Sequence, residues 1–168
     1  MSEVKSAQRS TDAGVLEREG EAAADYLEGL LDILDADGDI DMDVEGDRAL
    51  VSIVESRSGE LGFLVGPNGE VLDALQELTR LAATQAVGDR SRLMLDIAGH
   101  RAARRAALRD LAEEAVARAR STGETVALEP MSAFERKVVH DAVAEAGLTS
   151  SSEGEEPRRY VCVLPNPE

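Results

Sequence analysis

Tryptophan is absent, and the aromatic residues are confined to Tyr26, Phe63, Phe134 and Tyr160. Any core must therefore be built from Leu, Val, Ile and Ala, and an RNA-recognition sheet that stacks bases on aromatic platforms is disfavoured. Cys162 is the single cysteine. One thiol makes neither a disulfide framework nor a Cys-based zinc site, which fits a reducing compartment. The first twenty residues contain no apolar signal-like run, and no stretch approaches the roughly 20 apolar residues that span a bilayer. A cytoplasmic protein without membrane insertion is expected. Positive charge is also scarce, with 18 bases against 34 acids and a formal charge of −16, an unpromising total for a nucleic-acid binder.

The distribution of charge changes that reading. Residues 1–60 hold 17 acids and 5 bases, whereas 90–120 carry 8 arginines against 4 acids. The arginines are Arg90, Arg92, Arg101, Arg104, Arg105, Arg109, Arg118 and Arg120; read from composition, they make either a basic stripe or an ordinary solvated helix face.

The hydrophobic pattern predicts a polar disordered tail over 1–14 and then a helix from Val15, ended by Asp37-Gly38. A hairpin follows, with Ile40, Met42 and Val44 alternating with acids before Leu50–Val54. After the apolar stretch Leu61–Val65 and the turn Gly66-Pro67-Asn68-Gly69, a second helix is expected to put Val71, Leu72, Leu75, Leu78, Leu81 and Ala82 on one face. Leu93, Leu95 and Ile97 alternate as a third strand, completing the order α-β-β-α-α-β. Arg101–Arg120 reads as a long helix with Leu108, Leu111, Ala115 and Ala119 as its seam, and Thr125–Leu128 as a short strand. Ser132-Ala-Phe-Glu135 is a capping-box pattern that opens a helix stopped by Gly147. Strands over Leu148–Ser152 and Arg159–Leu164 flank a polar loop.

Several constellations invite chemistry. The acid run from Asp35 to Asp43 fails as a calcium loop: starting at Asp35 puts Ile40 and Gly46 where Gly and Glu are required, and starting at Asp37 puts Met42 and Arg48 there. The acids fit the wet face of a strand. His100 and His140 lack the company of a nucleophile elbow or a ligand set, so no catalytic residue, cofactor or metal is expected. The Gly-x-x-Gly spacing of Gly66, Pro67, Asn68 and Gly69 is common by chance. Between two helices and beside a sheet it can bring backbone amides to a phosphate chain, or be a plain helix–helix turn. Arg136 and His140 lie four apart, one turn above each other on the capped helix, at the rim of its apolar face. An arginine there can fork onto phosphate, and a histidine can stack or donate; taken alone, the pair is equally well a surface charge and a hydrogen-bonded rim residue.

Two longer strings agree on a family. Leu64–Gln76, around the Gly-x-x-Gly turn, and Leu128–Arg136 with His140 and Ser152–Arg159 resemble the Jag/KhpB family of bacterial proteins, over about Glu21 to Pro165. The resemblance implies an α+β chain: a type II KH domain over 15–98, with a three-stranded sheet and helices on one face, then an R-3-H domain over 99–168, with helix 100–121 as connector. It implies binding of single-stranded RNA, with single-stranded DNA as a further ligand. It also implies a post-transcriptional or RNA-chaperone role linked to cell division, elongation or cell shape, with some members pairing with a smaller KH protein. The uncharged Pro67-Asn68 loop and the net charge of −16 point to the alternative, a protein-interaction scaffold that dimerises or docks a partner KH protein. Gly66, Pro67, Asn68 and Gly69 match the KH loop, and Arg136 and His140 match the motif of the second domain. Lys137, Arg158 and Arg159 join them as candidate RNA contacts. The chain departs from the family where Pro67 and Asn68 replace the usual basic loop residues, since proline also lacks an N–H. The separate N-terminal Jag domain of many members has no counterpart, so functions residing there are not expected.

Overall fold

The structure is a computed structural model that describes residues 2–166, with side chains described over 13–166. The chain is mixed α+β with five helices and two small sheets among the described residues. It divides into two compact units, Met1–Arg101 and Ala102–Glu168.

In the first unit, α1 (Ser2–Leu34) is followed by β1 (Gly38–Glu45), β2 (Arg48–Glu55), the single turn α2 (Gly62–Val65), a 3-10 turn at Pro67–Gly69, α3 (Glu70–Val87) and β3 (Met94–Ile97). The helix expected from Val15 begins at Ser2, so the stretch expected as a disordered tail is helical from its second residue. β1 and β2 pair antiparallel through a two-residue turn, Glu45 facing Arg48. Gly46 supplies the positive φ that such a turn needs. β3 joins β2 in parallel, which requires the crossover that α2 and α3 provide. Alternation then sends Ala49, Val51, Ile53, Leu95 and Ile97 to one face, where they bury against Leu27 and Leu31 of α1 and Leu72 and Leu75 of α3.

The buried face of α3 differs from the one expected. Its buried stripe is Leu72, Leu75, Thr79 and Ala83, while Leu78 and Leu81 are exposed. At about 100° per residue the buried four cluster within one narrow sector, and Leu81 lies nearly opposite it. Thr79 can occupy the core because its hydroxyl donates to the Leu75 carbonyl at 2.7 Å.

α4 (His100–Thr122) runs from the end of the first unit into the second, where β4 (Val126–Ala127), α5 (Ala133–Glu145), β5 (Thr149–Glu153) and β6 (Tyr160–Leu164) follow. β6 is central, antiparallel to both neighbours. Leu108, Ala112, Ala115, Val116 and Ala119 of α4 share one core with Val139 and Val143 of α5 and Val161 and Val163 of β6.

Candidate nucleic-acid interface

The start of α5 is fixed by its cap: the Ser132 hydroxyl accepts from the Glu135 amide, and the Glu135 carboxylate accepts from the Ser132 amide at 2.9 Å. Burial pushes the Glu135 carboxyl up. The Ser132 amide and the Arg104 guanidinium outweigh it, holding the group below its ordinary value. This cap sets the register that brings Arg136 and His140 onto one side of the helix.

Arg136 is not the rim or surface charge expected. It is 8% exposed, donates to the Met131 carbonyl at 2.9 Å and to Glu156 Oε1 at 2.6 Å, and so is committed within the protein. A guanidinium can be buried because its fork satisfies a carbonyl and a carboxylate together. His140 is similarly engaged: Nδ1 lies 2.6 Å from the Ser150 hydroxyl and Nε2 2.7 Å from that of Ser152. Those serines alternate along β5 and therefore share one face. Their hydroxyls can each donate or accept, so either ring tautomer is accommodated. Arg136 and His140 thus hold the same hairpin, one at its loop and the other at the strand leading into it.

That loop carries Arg158 and Arg159. Its backbone is tied by the Arg158 amide to the Glu155 carbonyl and by the Met131 amide to the Arg159 carbonyl. Both arginine side chains are exposed and have no acidic partner among the described residues. Lys137 is exposed and pairs with Asp141, four residues on, at 3.2 Å. The structure therefore gathers Arg136, Lys137, His140, Arg158 and Arg159 around α5 and the β5–β6 loop.

The arginine-rich stretch is mostly not a free stripe. Arg104 pairs with Glu135 at 2.7 Å and Arg109 with Glu145 at 3.3 Å. Arg120 donates to the Ala146 carbonyl, and Arg105 lies 5.5 Å over the Phe134 ring. These four tie α4 to α5 and its end. Arg92 pairs with Asp47, and Arg101 reaches Asp73, Gln76 and the Leu95 carbonyl. Phe134, 46% exposed, is an aromatic surface that sequence reasoning missed; its place at the second position of a capped helix was the available signal.

The Gly66–Gly69 turn lies in the first unit, between α2 and α3. Gly66 has φ 71° and ψ 177°, a region essentially closed to other residues, and a Cβ there would overlap Val71. Gly69 is left-handed, with the position of a Cβ 3.0 Å from Nε2 of His100. The glycines are thus demanded by the turn itself. Its amides are largely used: Gly66 donates to Gly62, Gly69 to Gly66, and Glu70 to Pro67, while Pro67 has none. Only Asn68 retains an amide for a phosphate. Glu70 and Asp73 add negative charge to the first turn of α3, where an anion would otherwise be favoured.

Cys162 is free and buried. Burial, then the neighbouring Glu153 carboxylate, pushes its thiol up, the reverse of an activated nucleophile. Among the described residues no group of three or more His, Cys, Asp or Glu is placed to hold a metal, and no helix is long and apolar enough to cross a membrane.

Residues 106–165 match the R-3-H domain family, so the second unit carries an R-3-H domain. The chain is 30% identical over 142 residues to "RNA-binding protein KhpB" of Clostridium symbiosum, covering 84% of this chain and 64% of that one. It is 32% identical over 143 residues to the protein of that name in Lactiplantibacillus plantarum, covering 84% of this chain and 44% of the relative. The Bacillus subtilis protein of that name is 31% identical over 104 residues, covering 60% of this chain and 50% of the relative. Along most of its length the chain is similar to proteins named RNA-binding protein KhpB, and residues 106–165 carry the match to the R-3-H domain. It spans from under half to about two thirds of the length of these curated relatives.

Proposed function

We propose that the protein is a non-enzymatic binder of single-stranded RNA whose main contact surface is the hairpin of the R-3-H unit. The observation that carries this reading is the double hold on that hairpin. Arg136 grips Glu156 and His140 grips Ser150 and Ser152, leaving Arg158 and Arg159 exposed on a loop of defined shape. In this reading Arg158, Arg159 and Lys137 meet phosphates, Phe134 offers a stacking surface, and Arg136 and His140 position rather than touch. Kinship with proteins named RNA-binding supports the ligand class. We extend the proposal, from the resemblance of the two sequence strings, to a cytoplasmic post-transcriptional role linked to cell division or elongation.

The order α-β-β-α-α-β of the first unit, with a mixed sheet and the Gly-x-x-Gly turn between α2 and α3, supports the type II KH reading for that unit. Its loop has little left to offer a phosphate, however. That favours a second role for this unit, as a scaffold that dimerises or docks a partner KH protein.

Ultraviolet crosslinking of the full chain to a partly randomised single-stranded RNA, read by mass spectrometry, tests the layout. Crosslinks are expected at Phe134 and within 153–160. Crosslinks concentrated in residues 13–60 would contradict it. A deoxy-oligomer of the same sequence, run alongside, measures the contribution of the 2′-OH.

A further inference from the structure

We infer that the free edge of β1 docks an extended, basic segment of a protein partner. The sheet order β1-β2-β3 leaves β1 at the end, and all eight of its residues are paired on the β2 side alone. A long open edge is a template for strand addition.

Its two rows of side chains describe the occupant. Ile40, Met42 and Val44 point to the core side, since their register partners are Ile53, Val51 and Ala49, all essentially fully buried. Yet Met42 is 52% and Val44 48% exposed. The core face continues outward here only partly covered: α1 meets Met42 at a glycine, Gly20, whose Cβ position lies 3.5 Å from the Met42 sulfur.

The other row is Asp39, Asp41 and Asp43, none of which pairs with a base among the described residues. Beside it is a depression of about 550 Å³ lined by Asp41, Asp43, Leu50, Val54 and Asp96, with room for long side chains. An added strand would set alternate residues beside each row. A sequence alternating Lys or Arg with Val, Ile or Leu satisfies both, with apolar residues beside Met42 and Val44 and basic ones over the aspartates. A second copy of β1 would instead bring aspartate against aspartate, and the same carboxylates repel nucleic acid.

The test uses the full chain and a labelled decapeptide alternating lysine and valine, with a glutamate–valine peptide as control. Affinity is read by anisotropy, and the site by amide shifts and hydrogen exchange. Asp39→Asn/Asp41→Asn/Asp43→Asn should weaken binding about tenfold. Asp25→Asn/Glu28→Gln/Asp32→Asn, which removes the same charge from exposed positions on α1, should leave it within about twofold. Shifts and new protection should centre on 38–45. Equal losses in the two triple variants, or shifts centred elsewhere, would overturn the inference by reducing the binding to diffuse charge attraction. Self-association of the chain through this edge would overturn it as well.

Discussion

Replacing Arg136 by alanine should damage the R-3-H unit before it damages any contact with RNA. The substitution leaves the Met131 carbonyl without its 2.9 Å donor in a residue that is itself buried, and an orphaned buried acceptor costs about 1–3 kcal/mol. The bond to Glu156 is charge-assisted, but that carboxylate is 58% exposed, so solvent screening holds its share to about 0–1 kcal/mol. Losing the packed stem adds roughly 1 kcal/mol. The total is about 2–5 kcal/mol, enough to lower the melting temperature of so small a unit by roughly 10 °C or more. Hydrogen exchange followed by mass spectrometry is the suitable assay, because it reads peptides of the second unit separately where a whole-chain melt would blend two units. Protection should fall across α5, β5 and β6 and be unchanged in β1–β3. Glu156→Gln, which keeps the Met131 bond, should cost under about 1 kcal/mol. A variant with native protection but sharply weaker RNA binding would refute the reasoning, since it would mean that the guanidinium is free to meet phosphate.

Two further perturbations probe other parts of the account. Gly66→Ala forces a side chain into a backbone region that costs about 1–3 kcal/mol and onto Val71; urea unfolding of the first unit should shift to lower denaturant, while that of the second should not. Glu135 is held below its ordinary 4.5, so its stabilising share is present above that pH and is lost as pH falls through the depressed folded value. Glu135→Gln should therefore flatten the acid limb of the second unit's stability profile below about pH 4.5, and an unchanged slope would remove Glu135 as a source of that limb.

Much of the framework is legible from local chemistry. The acids alternating with Ile40, Met42 and Val44 announce β1, and the Ser132–Glu135 pair announces the start of α5, because strand pleat and helix cap are properties of a few adjacent residues. What escaped depends on partners distant in sequence. Arg136 looks like a surface charge until Glu156, twenty residues on, closes over it. The arginines of α4 look like a binding stripe until Glu135, Glu145, Phe134 and the Ala146 carbonyl are seen to occupy them. Leu78 looks like core until Thr79 displaces it by satisfying its own hydroxyl. Net charge misleads for the same reason: which bases are free is decided by tertiary pairing.

Fluorescence anisotropy with a labelled, partly randomised single-stranded RNA across a salt series decides whether the hairpin arginines hold the RNA, comparing the native chain with Arg158→Ala/Arg159→Ala and with Asn68→Asp. Binding should be salt-sensitive, with a slope that falls by about 1.4 when the two arginines are removed, at about 0.7 per phosphate contact in a single strand, and with little change for Asn68→Asp. Undiminished binding by the arginine variant, together with collapse in Asn68→Asp, would place the RNA on the Gly66–Gly69 turn and contradict the account.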